Sequence, residues 1–159
     1  MSSTLPKING GCLCKAVQYE VDSPPISGAY CHCDICKKSY GGLFMAGLQF
    51  NAAGFRFTKG EPKLYRSSGF AQRGFCQECG SPLVFVFDGD PHYWVMLGSL
   101  DKPDMWPLTK HATWGLVVHT QTDSKLPWHD PVEGLPQWTS TTARFQIEAQ
   151  ERTNAPEKR

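Results

Sequence analysis

The sequence lacks an excess of charge of either sign. Its 159 residues carry 16 lysines and arginines against 15 aspartates and glutamates, so the formal net charge is +1. The basic residues are scattered, and Lys37-Lys38 is one of few adjacent pairs. Proteins that bind nucleic acid or anionic membranes gather basic residues on one surface. We therefore expect neither nucleic acid nor a membrane as a partner.

Long apolar runs are missing as well. The longest, residues 83–87, is far shorter than the roughly 20 residues that a membrane-spanning helix needs. The opening MSSTLPKINGG has no basic region followed by an apolar stretch, as a secretory signal would. We expect a cytoplasmic protein, where thiols stay reduced and seven cysteines are more typical of metal ligands or nucleophiles than of disulfides.

Helix-forming stretches are scarce, whereas turn residues are plentiful. The chain has 15 glycines and 12 prolines, and its apolar residues fall in short runs between them. This pattern predicts a mainly-β protein with little helix. Strands are expected at residues 12–21, 43–50 and 110–120, with a hairpin formed by residues 83–87 and 92–97. Short helices are expected at residues 34–39 and 139–150.

The length is typical of one domain. We expect an N-terminal lead at residues 1–9, one domain at residues 10–138 and a partly flexible C-terminal extension at residues 139–159. The oligomeric state does not follow from the sequence.

The seven cysteines form three groups with chelating spacing. The groups are Cys12-x-Cys14, Cys31-x-Cys33-x-x-Cys36 and Cys76-x-x-Cys79. Alternate residues of a strand face the same side, which would let the first pair share one metal ion. The third group resembles a metal knuckle, in which Gly80 gives the turn its backbone freedom.

A structural zinc site has four ligands, and the two pairs together supply four thiolates. That partition leaves the triplet as a three-ligand site with an open fourth position, which is typical of a catalytic zinc. Adding a pair to the triplet would instead give five thiolates and strand the other pair. The plainer alternative is that all three groups only stabilise a loop-rich fold. We expect two zinc ions per chain.

An open zinc with three thiolates is electron-rich, so it suits an incoming thiol better than the activation of water. Such a thiol would be held deprotonated as a nucleophile. His32 lies between two triplet cysteines, but on extended backbone it faces the opposite side and is not expected to be a ligand. The remaining histidines are expected to be ordinary ones, with His111 the best candidate for a role.

The chain resembles the family of glutathione-dependent formaldehyde-activating enzymes, which is grouped with the centromere protein V domain. The resemblance rests on GGCLCKAVQYEV, CHCDICKKSYGG, RGFCQECGSPL and VMLGSLDKP, and more loosely on KHATW and LPWHDPVEGLP. It implies a β-tent type zinc-binding fold of several short antiparallel sheets. It also implies a structural zinc at Cys12, Cys14, Cys76 and Cys79 and a catalytic zinc at Cys31, Cys33 and Cys36.

The activity that the resemblance implies is carbon–sulfur bond formation and cleavage, in which glutathione and formaldehyde give S-(hydroxymethyl)glutathione. The partners would be a glutathione-like thiol and a small aldehyde. Cations for the thiol's carboxylates are sought near the zinc motifs, among Lys37, Lys38, Arg66 and Arg73, with Arg73 preferred. Two alternatives stay open: a non-catalytic zinc module that binds a partner, and a redox sensor that uses Cys33 and Cys36.

Overall fold

The structure, a computed structural model, describes residues 7–140. Within that range the chain is mainly β with one short α-helix, as predicted. The strands are β1 (Ile8–Gly11), β2 (Gln18–Val21), β3 (Ser27–Cys31), β4 (Met45–Asn51), β5 (Phe55–Lys59), β6 (Lys63–Ser68), β7 (Ala71–Phe75), β8 (Pro82–Phe87), β9 (His92–Met96), β10 (Leu116–Thr120) and β11 (Gln137–Trp138). Helix α1 spans Asp34–Tyr40, and 3₁₀ turns occur at Ala52–Gly54, Leu97–Ser99, Pro103–Met105 and Thr122–Ser124. None of the helices in residues 7–140 is long and apolar enough to cross a membrane.

The strands form two sheets within the described range. The smaller sheet has the order β1-β2-β5 and is antiparallel throughout. The larger has the order β11-β10-β3-β4-β9-β8-β7-β6. It is mixed, because β10 runs parallel to both of its neighbours, β3 and β11. The parallel pairing brings the segment after Leu116 beside the strand that leads into the cysteine triplet.

The two faces of the larger sheet carry separate apolar clusters, because successive strand residues point to opposite faces. One face packs on the smaller sheet through residues such as Tyr19, Leu48 and Val95. The other face lies beneath α1, where Met45, Phe85, Met96 and their neighbours surround Cys36. The cysteine triplet therefore sits on the face opposite the main core.

Several predicted elements are confirmed. Helix α1 starts after Cys33 and ends at Tyr40, and the next residue, Gly41, has a φ of 65° that gives the left-handed cap predicted from the Gly-Gly stop. The predicted hairpin is formed by β8 and β9. The first strand, β1, begins at Ile8, two residues before the expected start of the domain at residue 10. The helix expected at residues 139–150 falls almost wholly outside the described residues.

Two strand predictions are wrong in part. The segment at residues 12–21 is a strand only at Gln18–Val21, because a turn comes first. In that turn the Lys15 N–H donates to the Cys12 carbonyl at 3.0 Å and Lys15 has φ of 62°, which ends the ladder. The segment at residues 110–120 is a strand only at Leu116–Thr120, since Ala112 turns back to the Thr109 carbonyl.

Candidate metal centres

Two turns bring four cysteines together at one edge of the fold. The four-cysteine cluster consists of Cys12, Cys14, Cys76 and Cys79, whose sulfurs lie within 4.8 Å of one another. The Cys12 and Cys14 sulfurs are 3.5 Å apart, and those of Cys14 and Cys76 are 3.7 Å apart. Tetrahedral zinc with bonds of about 2.3 Å has sulfur–sulfur edges of about 3.8 Å, so the cluster can hold such an ion.

The sulfurs of Cys12 and Cys14 converge because these residues lie in a turn. Strand alternation, which the sequence had suggested as the cause, does not apply. The second pair lies in the turn between β7 and β8, where the Gly80 N–H donates to the Cys76 carbonyl at 2.8 Å. Gly80 has φ of 76°, which confirms the need for glycine there. Ser81 links the two turns, since its hydroxyl accepts from the Leu13 N–H at 3.0 Å.

The donors around the four-cysteine cluster are neutral. The Val17 N–H donates to the Cys12 sulfur at 3.2 Å, and the Ser81 hydroxyl lies 3.2 Å from the Cys79 sulfur. Hydrogen bonds from Ser81 lower the pKa of Cys79 to about 5. Cys14 is exposed to solvent. Water and neutral dipoles therefore stabilise the negative charge of this cluster.

The three-cysteine cluster consists of Cys31, Cys33 and Cys36, and its sulfurs also lie within 4.8 Å of one another. Cys31 ends β3, Cys33 is the N-cap of α1, and Cys36 is in the helix's first turn. The Cys36 N–H donates to the Cys33 sulfur at 3.3 Å. No histidine or carboxylate of residues 7–140 joins this group as a fourth ligand.

The thiols of this cluster do not behave alike. The neighbouring thiols of Cys31 and Cys36 lower the pKa of Cys33 to about 2, and the Cys36 N–H and the Arg73 charge act in the same direction. Conversely, the thiols of Cys31 and Cys33 raise the pKa of Cys36, and burial adds to that effect. The cluster thus supports at least one thiolate, which is the form that binds soft metal ions.

Arg73 contacts the three-cysteine cluster directly. It lies on β7 with 8% of its surface exposed. Its Nη2 donates to the Cys36 sulfur at 3.5 Å, and its Nη1 donates to the Tyr40 hydroxyl at 2.6 Å. The guanidinium lies over the rings of Tyr40 and Phe85, at 5.0 and 4.5 Å from their centroids. Its Nε is buried and has no hydrogen-bond partner in the described part of the chain.

The other predicted cations divide into two kinds. Lys37 is engaged, since its Nζ donates to the Ser124 carbonyl at 2.6 Å and pairs with Asp34. Arg66 makes a two-pronged pair with Asp88 at 2.8 and 3.1 Å. Lys38 is exposed on α1 and lines a cavity together with Arg73.

This cavity has a volume of about 470 Å³. The polar residues that line it are two cations, Lys38 and Arg73, and four residues that carry a hydroxyl, Ser39, Tyr40, Tyr65 and Ser67. No aspartate or glutamate of the described residues lines it. Arg73 lines the cavity and also donates to the Cys36 sulfur, so it is shared between the cavity and the three-cysteine cluster.

A buried histidine pair, His32 and His119, was not anticipated from the sequence. Both rings are fully buried, and His32 Nε2 lies 2.8 Å from His119 Nδ1. The Val132 N–H donates to His119 Nε2 at 3.1 Å, so that nitrogen carries no proton. His119 must then donate from Nδ1 to His32, whose own proton is on Nδ1. Burial lowers the pKa of both, that of His32 to about 4.

The His119 ring stacks on Tyr30, which packs against the main core, so the pair lies on the sheet face opposite the triplet, as predicted for His32. His32 packs against Phe44 and His129, with ring centroids 5.7 Å away in each case. His111, the histidine preferred from the sequence, is instead exposed. The sequence held no signal for the pair, because 87 positions separate its members.

Comparisons with known proteins agree with this geometry. A family model described as glutathione-dependent formaldehyde-activating enzyme matches residues 7–114, which include all seven cysteines. An uncharacterized lyase of Schizosaccharomyces pombe is 33% identical over 94 residues, which cover 57% of this chain and 66% of that protein, just under two thirds of its length. A crystal structure of a Rhodobacter sphaeroides protein aligns with a TM-score of 0.50 at 20% identity, covering 82% of this chain and 99% of the other. At that identity the likeness shows a shared fold alone.

Proposed function

The chain belongs to the glutathione-dependent formaldehyde-activating enzyme family, and we propose that it is a zinc-dependent carbon–sulfur lyase of that type. The sulfur of a glutathione-like thiol would add to the carbonyl carbon of a small aldehyde such as formaldehyde. The thiol proton ends on the aldehyde oxygen, and the product is a hemithioacetal, which for glutathione and formaldehyde is S-(hydroxymethyl)glutathione. The observation that carries the proposal is the three-cysteine cluster, which stands apart from a complete four-cysteine cluster.

The donor set favours zinc at both clusters, two ions per chain. Cysteine sulfurs at tetrahedral spacing are the ligands that zinc uses in structural sites. We assign the four-cysteine cluster to a structural ion and Cys31, Cys33 and Cys36 to a catalytic one. When bound there, zinc would keep an incoming thiol deprotonated and therefore nucleophilic. We also propose the cytoplasm as the compartment, because these free thiols stay reduced there.

The cavity beside Arg73 supports an acidic thiol as the substrate. Glutathione carries two carboxylates, and the cavity's polar lining offers cations and hydroxyls without a competing carboxylate. We propose that Lys38, which makes no ion pair within residues 7–140, contacts a carboxylate directly. Arg73, proposed for this role from the sequence, has two nitrogens already engaged. We therefore propose that Arg73 attracts the substrate carboxylate through its positive charge.

The test is the exchange between glutathione and formaldehyde, measured by NMR with the zinc-loaded protein. We expect exchange faster than the uncatalysed rate with the wild type and a return to that rate with Cys33→Ser. The control is metal analysis: Cys33→Ser must retain one zinc per chain, at the four-cysteine cluster. No acceleration by wild-type protein that holds two zinc ions would refute the proposed reaction. One tightly bound zinc per chain in the wild type would favour a non-catalytic module.

A further inference from the structure

The two cysteine clusters differ in the charge of what surrounds them. The four-cysteine cluster receives hydrogen bonds from the Val17 N–H and lies beside the Ser81 hydroxyl, both neutral groups. The three-cysteine cluster receives one from the guanidinium of Arg73, which is always charged.

The surroundings explain why the three-cysteine cluster needs a cation. Cys36 is 2% exposed and is packed among Met45, Phe85 and Met96, an apolar environment in which uncompensated negative charge is costly. Three thiolates around a divalent ion leave one negative charge, and a fourth thiolate makes two. The four-cysteine cluster also contains two buried residues, Cys12 and Cys76, but it reaches water through the exposed Cys14, whereas Cys31 and Cys33 are only partly exposed.

Arg73 is held in place before any ligand arrives. The Tyr40 hydroxyl accepts from Nη1 at 2.6 Å, and the planar guanidinium lies over the rings of Tyr40 and Phe85. This arrangement leaves Nη2 directed at the Cys36 sulfur. A lysine has no such fork and could not reach both partners in this way.

We propose that Arg73 is a positioning residue that orients Cys36 and offsets the negative charge of the three thiolates, so that the cluster can accept a fourth thiolate from outside the protein. The inference rests on the proposed function of this cluster as an open metal site. It assigns to Arg73 a role through Cys36, in addition to any attraction of a substrate carboxylate. Outer-shell partners of metal ligands typically change metal affinity by about 10–100-fold when removed.

The experiment uses cobalt(II) in place of zinc, because thiolate-to-cobalt absorption reports how many sulfurs bind the ion. The folded protein, with its four-cysteine cluster filled, is titrated with cobalt and then with 2-mercaptoethanol. That thiol has no carboxylate, so a loss of its binding cannot come from a lost carboxylate contact. We expect Arg73→Gln to weaken cobalt binding at the three-cysteine cluster by about 10–100-fold. We also expect it to weaken thiol binding to the cobalt protein and to shift the charge-transfer band.

Controls separate this role from a general effect on folding. Arg66→Gln removes a surface arginine that pairs with Asp88 and should leave both affinities unchanged. Arg73→Lys, which keeps the charge, should recover part of the thiol binding. If Arg73→Gln does not fold, Tyr40→Phe carries the test, since it removes the anchor of Nη1 and keeps the ring; we expect cobalt binding to weaken measurably, by up to about tenfold.

Wild-type affinities in Arg73→Gln, or in Tyr40→Phe where it replaces that variant, would overturn the inference. A wild-type cobalt protein that binds no thiol would overturn it too. A wild type that binds cobalt and thiol but does not accelerate glutathione–formaldehyde exchange refutes only the proposed reaction, and the loss of thiol binding in Arg73→Gln would then still support the role of Arg73.

Discussion

Replacing His119 with leucine should destabilise the folded protein by about 1–4 kcal/mol. His32 would keep its buried position and lose the donor to its Nε2, while its Nδ1 has no partner to begin with. The Val132 N–H would lose its acceptor. A buried polar group left unpaired costs about 1–3 kcal/mol, and the Val132 N–H adds less because that residue is exposed and water can reach it.

The measurements are urea unfolding, which gives the free energy of unfolding, and thermal unfolding, both at neutral pH on proteins of matched metal content. The midpoint of thermal unfolding should fall by roughly 2–16 °C, from about 2–4 °C per kcal/mol for a chain of this size. The matched control is His111→Leu, because His111 is exposed. We expect that change to alter stability by less than about 0.5 kcal/mol.

A double variant makes the test sharper. His32→Leu combined with His119→Leu removes both polar rings, and replacing both partners of a buried hydrogen bond costs less than removing one. The two changes should therefore be coupled by about 0.5–3 kcal/mol, so that the double variant is more stable than the sum of the singles predicts. Strict additivity, or a His119→Leu variant as stable as His111→Leu, would contradict a hydrogen-bonded pair.

Three further outcomes are expected. Cys14→Ser should leave the chain largely unfolded by circular dichroism, because structural zinc contributes about 10–16 kcal/mol against a total stability of about 5–15 kcal/mol; Cys33→Ser should stay folded. The pKa values of His32 and His119 are lowered, that of His32 to about 4, so in acid the unfolded chain binds more protons than the folded one. The stabilisation by the pair is thus complete above the ordinary histidine pKa of about 6.5 and is lost as pH falls toward 4. Urea unfolding across this pH range should show a smaller loss in the double variant His32→Leu/His119→Leu, which lacks both rings. Lys38→Gln should raise the KM for glutathione by up to about fivefold and leave that for 2-mercaptoethanol unchanged, since an exposed ion pair is worth at most about 1 kcal/mol; Lys102→Gln should change neither.

The local elements near the site could be predicted because their causes lie within a few residues. Helix α1 is capped by Cys33 and ended by Gly41, and both caps are contacts between residues three or four positions apart. The knuckle at Cys76 and Cys79 likewise needs only its own turn and Gly80. The prediction of a strand through Cys12 and Cys14 was wrong because alternation of residue types also occurs in a turn. The left-handed backbone at Lys15 could not be anticipated, since lysine has no preference for that conformation.

By itself, the sequence indicated the three cysteine groups, since the spacing of thiols along the chain decides which neighbours can chelate together. The tertiary structure brought two of these groups into one four-cysteine cluster, across 62 positions between Cys14 and Cys76. The tertiary structure also decided what surrounds both clusters. Arg73 meets Cys36 across 37 positions, and His32 meets His119 across 87, the latter because β10 pairs in parallel with β3. No local preference of arginine or histidine encodes such contacts, which arise only when the larger sheet assembles. The same assembly buries Cys36 in an apolar layer, and that burial gives the charge of Arg73 its consequence.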